Sequence, residues 1–258
     1  MRRIVVKISY LGADFHGSQA QPGLRTVESQ VRADITKICH ISDDISDVRF
    51  SSRTDKGVNA IGNAVAFNTT IDDGQTLLRA LNAVSDGVFY RSFCFVDGDF
   101  NVRYASDRTY RYILPLKGMN VKKAKDCANL FVGEHDFARF CKYDGKPTVA
   151  TIDSIDVIES ENTVILEFKA RFFLWNMIRR ISSAVYRVSL GRASLDSVKD
   201  AIDGKDLSFG MCRPDALTLL DVNYDWLAFE DARGKEYLKR SEELVFSGLV
   251  RQSFLDSL

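Results

Sequence analysis

The sequence predicts an α+β fold in which two halves repeat the element order β-α-β-β-α-β, the order of a split β-α-β unit of the ferredoxin-like kind. Three observations support this prediction. Alternating apolar residues indicate strands, apolar residues at helical spacing indicate helices between them, and the same order recurs after residue 105. Two such halves can join their sheets side by side, and we expect a cleft between them. A chain of 258 residues, 45% of them hydrophobic, is sufficient for this architecture.

The first half, residues 1–105, begins with a strand and a capped helix. Apolar residues alternate from Ile4 to Tyr10, which is typical of a strand. Thr26 is a suitable N-cap for a helix. The apolar face of that helix carries Val27, Val31, Ile35 and Ile38. The remaining elements predicted in this half are strands near 47–52, 62–69 and 88–96 and a helix near 75–84.

The second half, residues 106–227, follows the same order. The stretch "DRTYRYIL" predicts a strand, and a helix from Lys122 to Val132 precedes Gly133, which can terminate it. A long amphipathic helix near 174–190 ends at Gly191. The remaining elements predicted in this half are strands near 151–159 and 163–170, a short helix near 194–203 and the final strand "LTLLDVNY". Residues 228–258 form a charged, helix-compatible extension outside the repeat.

The charges are segregated although the net charge is zero. Two segments, 101–125 and 165–192, are basic and contain one acid each. Their basic residues are Arg103, Arg108, Arg111, Lys117, Lys122, Lys123 and Lys125 in the first and Lys169, Arg171, Arg179, Arg180, Arg187 and Arg192 in the second. Either segment alone is typical of an ordinary solvated face. Two such segments, interleaved with tyrosine, phenylalanine and tryptophan, favour RNA as the partner.

The stretch "SSRTDKGVNA" places Arg53 and Asp55 two residues apart in a tight connection between two strands. Two interpretations stay open. Asp55 can be an Asx-turn residue beside Gly57, which tolerates a positive φ. Alternatively, Arg53 pairs with Asp55 and favours its ionised form. A partly desolvated carboxylate at a strand end suits nucleophilic or general-base catalysis.

Several other classes of protein are excluded by the motifs. The glycine spacing from Gly57 to Gly62 lacks the lysine and the following helix of a nucleotide-binding loop. The three histidines, His16, His40 and His135, are isolated from one another, so no metal site is predicted. The five cysteines form no C-x-x-C pair, and no segment resembles a signal peptide or a membrane span. We therefore expect a cytoplasmic protein.

The segment "SSRTDKGVNAIGNAVAF" resembles the G-R-T-D-A-G-V-H-A signature of the tRNA pseudouridine synthase A family. Four further segments resemble motifs of the same family in the same order, from about Ile4 to Tyr224. They are "YLGADFHGSQAQPGLRTVESQ", "DFNVRYASDRTYRYIL", "FVGEHDFARF" and "ARFFLWNMIRRI". The last of these is closer to archaeal and eukaryotic members than to bacterial ones.

The resemblance implies a pseudouridine synthase fold with a mixed, mostly antiparallel sheet. It also implies isomerisation of uridine to pseudouridine in tRNA, in the anticodon stem-loop, by a homodimer without cofactor or metal. It makes Asp55 the catalytic aspartate, Arg53 its partner and Tyr110 the residue that stacks on the target base. Arg103, Arg179 and Leu217 are the further substrate-binding residues that it implies. Whether Asp55 attacks the ribose C1′, adds to the ring or abstracts a ribose proton stays open.

Two positions depart from the family pattern, and two alternative functions remain. Ser18 stands where tryptophan is usual, and Asn59 stands where histidine is usual. A non-catalytic RNA-binding protein of the same fold is one alternative, although such a protein is expected to lose Asp55. A metal-dependent nuclease is the other, although no cluster of acids surrounds residue 55.

Overall fold

The computed structural model describes residues 1–255, which divide into two compact units. The strands are Arg2–Tyr10 (β1), Arg49–Phe50 (β2), Asn59–Thr69 (β3), Val88–Val96 (β4), Asp107–Pro115 (β5), Gly133–Asp136 (β6), Val149–Ile152 (β7), Ser154–Glu159 (β8), Thr163–Ala170 (β9), Leu217–Asn223 (β10) and Glu230–Asp231 (β11). The helices are Val27–Cys39 (α1), Asp43–Ser46 (α2), Gly74–Val84 (α3), Val121–Asn129 (α4), Met177–Ser189 (α5), Leu195–Ile202 (α6) and Lys235–Leu255 (α7).

The first unit comprises residues 1–53, 63–104 and, at the end of the described chain, 226–255. Its strands follow the order β11-β4-β1-β3, and β2 pairs with β3. β1 and β4 are antiparallel, and β1 is buried over most of its length. Thr26 caps α1 by accepting a hydrogen bond from the Ser29 N–H, and Asp73 caps α3. These caps satisfy backbone donors that a helix start leaves unpaired, so both helices begin where the sequence predicts.

The second unit comprises residues 54–62 and 105–225. Its main sheet runs β10-β5-β9-β8, with antiparallel neighbours throughout. β6 and β7 form a separate antiparallel pair. Alternate residues of β5 and β9 are buried, as expected for strands with one face against a helix layer. The buried side chains of α5 include Ile181 and Val185, which belong to this core.

The predicted α+β class with a mostly antiparallel sheet is confirmed. The observed bounds of three elements differ from the predicted ones because of local backbone geometry. α5 begins at Met177, three residues after the predicted start, because Asn176 adopts a left-handed conformation with φ of 63°. The predicted strand 151–159 is two strands interrupted at Asp153, whose N–H donates to Lys169 O. α4 ends at Asn129, before its predicted end, and Gly133 opens a strand that the sequence analysis missed.

Strand β3 is shared between the units. Its first residues, Asn59–Gly62, belong to the second unit, where Asn59 and Ala60 pair in parallel with β10. The rest of the strand belongs to the first unit. The division at residues 105 and 227 that the sequence suggests stays a prediction, and the segment Thr54–Gly62, which carries Asp55, clusters with the second unit.

Residues 1–255 contain neither a membrane-spanning helix nor a cluster of metal ligands. No helix in that range combines the length and the apolar character needed to cross a bilayer. Within the same range, no three His, Cys, Asp or Glu side chains gather in a way that suits a metal ion.

Gly62 offers a test of how closely β3 and β10 approach. A Cβ at this position would lie 2.5 Å from Leu220 O and 2.6 Å from Asp221 Oδ1. Because backbone cannot yield as a flexible side chain does, we expect Gly62→Ala to lower the free energy of unfolding by about 1–3 kcal/mol. Gly98→Ala is the matched control, because nothing lies within 4 Å of a Cβ at Gly98. Equal thermal midpoints for the two variants would contradict the close approach.

Candidate active site

Asp55 lies in the turn that precedes β3. The turn closes with a hydrogen bond from Val58 N–H to Asp55 O, 3.1 Å long, and Gly57 has a φ of 88°. A side chain at Gly57 would be strained by that φ and would lie 3.1 Å from Pro214 Cγ. The turn is therefore built around a glycine, and it leaves the Asp55 side chain partly exposed.

Each oxygen of the Asp55 carboxylate receives one hydrogen bond from another part of the second unit. Arg179 Nη1 donates to Oδ2 at 3.3 Å, and Trp175 Nε1 donates to Oδ1 at 3.2 Å. The Arg179 side chain is 11% exposed and the Asp55 side chain 37%. A carboxylate held by a guanidinium and by a neutral N–H has a fixed orientation, which is what a catalytic carboxylate requires.

The first turn of α5 positions the guanidinium of Arg179. Asn176 precedes the helix in the left-handed conformation, and its Oδ1 accepts a second hydrogen bond from Arg179 Nη1 at 3.2 Å. Arg179 Nε donates to Cys212 O at 2.9 Å, and Cys212 N–H donates back to Arg179 O. Asparagine tolerates a positive φ better than other side-chain-bearing residues, so Asn176 both starts the helix and orients the arginine.

The loop before β10 packs beside the Asp55 turn. Asn59 Nδ2 donates to Asp215 O at 3.0 Å, and the Tyr112 hydroxyl donates to Arg213 O at 2.8 Å. Burial raises the pKa of Tyr112, so its hydroxyl stays a donor. A hydrogen bond from Arg213 holds the pKa of Asp215 below its usual range. Asn59, a departure from the family pattern, therefore ties the Asp55 turn to this loop.

Tyr110 and Leu217 lie on neighbouring strands of the same unit. Tyr110 is in β5, 7% exposed, and its ring meets the edge of Phe173 at a centroid distance of 5.3 Å. Leu217 is in β10, 6% exposed, and pairs with Tyr112. Tyr112 is almost fully buried and belongs to the sheet core. The contact with Phe173 places Tyr110 against the segment that carries Trp175, and its stacking role stays a prediction.

Arg53 and Arg103 belong to the other unit. Both side chains are exposed. The sequence suggested Arg53 as the partner of Asp55, whereas the guanidinium that reaches the carboxylate is that of Arg179. The roles of Arg53 and Arg103 stay predictions.

Some basic side chains of the two segments form hydrogen bonds or ion pairs within the second unit. Arg108 is buried and donates to Arg171 O. Arg111 pairs with Glu167, and Lys169 pairs with Asp107. Other basic side chains of the two segments are exposed in this unit: Lys117, Lys122, Lys123, Lys125, Arg171, Arg187 and Arg192. Only part of the charge seen in the sequence is therefore available to a nucleic acid.

Two contacts near Asp55 are not predicted by the sequence: Trp175 donates to Asp55, and the Lys142 ammonium lies over the Trp175 ring. In the sequence, Trp175 is one of several aromatic residues in a basic segment. A signal existed for Trp175, because it falls in "FLWNMIRR", the segment that departs from the bacterial pattern. No local pattern marks Lys142, which lies 33 residues before Trp175 in the sequence.

Comparison with known proteins gives a consistent result. The model of a family described as tRNA pseudouridine synthase matches residues 127–225. A tRNA pseudouridine synthase A from Pyrococcus abyssi is 39% identical over 93% of this chain and 92% of its own length. One from Pyrococcus horikoshii is 35% identical over 98% and 97%, and one from Methanobrevibacter smithii is 30% identical over 100% and 98%.

Proposed function

Because this chain belongs to the tRNA pseudouridine synthase A family, we propose that Asp55 converts a uridine of the tRNA anticodon stem-loop to pseudouridine. Membership of that family makes the chain an enzyme that isomerises uridine in tRNA. The residue that carries the reaction and the position of the uridine are the parts proposed here.

The main support for the proposal is the pair of hydrogen bonds that the Asp55 carboxylate accepts. A surface aspartate in an Asx turn has no need of a guanidinium brought from residue 179, nor of an indole N–H on its second oxygen. Arg179 is nearly buried and is oriented by two further hydrogen bonds, to Asn176 and Cys212. Several elements therefore converge to hold one partly exposed carboxylate, and such preorganisation is typical of catalytic sites.

The reaction that Asp55 serves rearranges bonds within one nucleoside. The bond from ribose C1′ to N1 of the base breaks, and a bond from C1′ to C5 forms. The proton on C5 leaves to water, and N1 gains a proton. The net change consumes no oxidant, reductant or group donor, so the proposal includes no cofactor. Attack at C1′, addition to the ring and abstraction of a ribose proton all require the carboxylate in a fixed position beside the nucleoside.

Tyr110 and Leu217 are proposed to contact the target base. A tyrosine ring offers a flat apolar surface on which a base stacks, and it excludes water while the glycosidic bond is open. The edge contact with Phe173 fixes the plane of the Tyr110 ring. Leu217 adds an apolar side chain on the neighbouring strand.

The anticodon stem-loop is proposed as the substrate region because of the energy needed to extrude a base. Removal of a uridine from a duplex costs a few kcal/mol, and the cost is lowest for a base that is already unpaired. The exposed lysine and arginine side chains of the second unit, among them Lys122, Lys123 and Lys125, are available to bind the phosphates that flank the target uridine. Arg103 is exposed and is proposed to contribute in the same way.

A homodimer is proposed as the active species, and α7 offers a surface for it. Six large apolar side chains on this helix are exposed by about half or more: Leu238, Val245, Phe246, Leu249, Val250 and Phe254. Their spacing places them on one broad side of the helix. Exposed apolar patches larger than a few hundred Å² are typical of interaction surfaces. A second copy would cover this patch and extend the basic surface offered to tRNA.

Asp55→Asn tests the catalytic assignment. We expect the variant to release no tritium from tRNA that carries tritium at uridine C5, because an amide cannot replace the carboxylate as nucleophile or base. Its tRNA dissociation constant should stay within about threefold of wild type, because the phosphates are bound by other residues. Asp156→Asn, an exposed aspartate on β8, is the control and should retain full turnover.

Three outcomes are decisive for the assignment. Turnover by Asp55→Asn would remove Asp55 from its role. Binding of tRNA by the wild type without tritium release would favour the non-catalytic RNA-binding alternative. Release of tritium from a uridine outside the anticodon stem-loop, located by mapping pseudouridine in the product, would correct the proposed substrate region.

Charge placed in the apolar side of α7 tests the dimer. We expect Leu249→Glu to shift the sedimentation coefficient from that of a dimer to that of a monomer, because a buried unpaired carboxylate opposes association. Arg251→Glu, on the other side of the helix from Leu249, should leave the dimer intact. A wild-type protein that sediments only as a monomer with full activity would contradict the proposal.

A further inference from the structure

Trp175 is the second hydrogen-bond donor to the Asp55 carboxylate, and unlike Arg179 it is uncharged. Its indole N–H donates to Asp55 Oδ1 at 3.2 Å, while the charged Arg179 donates to Oδ2. Trp175 is 46% exposed, whereas the Arg179 side chain is 11% exposed. A large aromatic side chain that is this exposed has no packing reason to keep one orientation, so something else must hold the ring.

Lys142 makes two contacts with Trp175, one to its ring and one to its backbone. Its ammonium Nζ lies 3.8 Å from the centroid of the Trp175 ring, within the range of a cation–π interaction. Its backbone N–H donates to Trp175 O at 2.7 Å. Lys142 is itself exposed, so the structure of the core does not depend on its side chain.

The backbone around Trp175 adds to this arrangement. Trp175 immediately precedes Asn176, the left-handed residue whose Oδ1 orients Arg179. Two residues before Trp175, the Phe173 ring meets Tyr110. One short segment therefore places the two donors to Asp55 and the aromatic neighbour of Tyr110, and Lys142 bonds to that segment from outside it.

We propose that Trp175 is a positioning residue for the isomerisation, and that Lys142 acts through it. The indole N–H fixes one oxygen of Asp55 while Arg179 fixes the other, so the carboxylate cannot rotate about its terminal torsion. The cation over the ring keeps the N–H directed at the carboxylate. This inference rests on the proposed role of Asp55 and extends it to two residues that the motif comparison did not assign.

Trp175→Phe is the principal test, because phenylalanine keeps an aromatic ring for Lys142 but has no N–H. We expect the single-turnover rate of tritium release, at saturating tRNA, to fall about 10- to 100-fold, since a displacement of about 1 Å can cost on the order of 100-fold. The tRNA dissociation constant should stay within about twofold. Trp175→His, which restores an N–H donor, should recover part of the rate. Trp226→Phe, at the other tryptophan of the chain, is the matched control and should behave as wild type.

A double-mutant cycle tests whether Lys142 acts through Trp175. Lys142→Met keeps the aliphatic stem and removes the charge, and we expect it to lower the rate severalfold in the wild-type background. In the Trp175→Phe background the same change should add little, because coupled residues are not additive. Lys146→Met, in the same loop, is the control. Additive losses would show that Lys142 acts on its own, for example on phosphate, and would overturn its part of the proposal.

Fluorescence tests the contact without using activity. In a Trp226→Phe background, Trp175 is the remaining tryptophan of the chain. Asp55→Asn should then change the emission of Trp175, because the indole loses a charged acceptor, and Lys142→Met should change it as well. Identical emission spectra would overturn the contact.

The kinetic outcomes separate this inference from the function on which it rests. A wild-type enzyme that fails to release tritium refutes the proposed function. An active wild type with a Trp175→Phe variant at the same rate refutes the positioning role alone. A loss confined to tRNA affinity assigns Trp175 to substrate binding, and a faster variant shows that the indole obstructs Asp55. Each of these last two results also overturns the proposal.

Discussion

The ion pair between Arg179 and Asp55 is the interaction on which the site depends. It joins residues 124 positions apart in the sequence, so it exists only because the turn before β3 and the first turn of α5 lie side by side in the second unit. The parallel pairing of Asn59 and Ala60 with β10 fixes the turn. The left-handed Asn176 and the exchange of hydrogen bonds with Cys212 fix the arginine. The pair therefore has a fixed geometry, and the Asp55 carboxylate stays partly exposed.

The type of most helices and strands was readable from the sequence because it depends on local patterns. β5 and β9 alternate, and α5 has a continuous apolar side, so hydrophobic period alone predicts them. The errors lie where a single backbone conformation decides. Asn176 delays the start of α5, and Asp153 interrupts what reads as one strand. Neither effect leaves a periodic signature, because each involves one residue.

The site was predictable in part. Asp55 was identified through its turn and through the family motif, and Arg179 through the motif alone. The sequence paired Asp55 with its neighbour Arg53 because proximity along the chain is the only proximity that a sequence displays. Trp175 and Lys142 were missed for the same reason, since a hydrogen bond to Asp55 and a cation above a ring depend on how distant segments meet. The two basic segments likewise overstated the charge available to RNA, because Arg111 and Lys169 form ion pairs within the second unit.

The most direct test of the Asp55–Arg179 pair is the single-turnover rate of tritium release by Arg179→Lys at saturating tRNA. Lysine keeps the positive charge but lacks the planar guanidinium, which donates hydrogen bonds to Asp55, Asn176 and Cys212 O at the same time. We expect a rate at least about 100-fold lower, with the thermal midpoint and the tRNA dissociation constant near those of wild type. A near-normal rate would show that the charge alone is sufficient and that Arg179 does not orient Asp55.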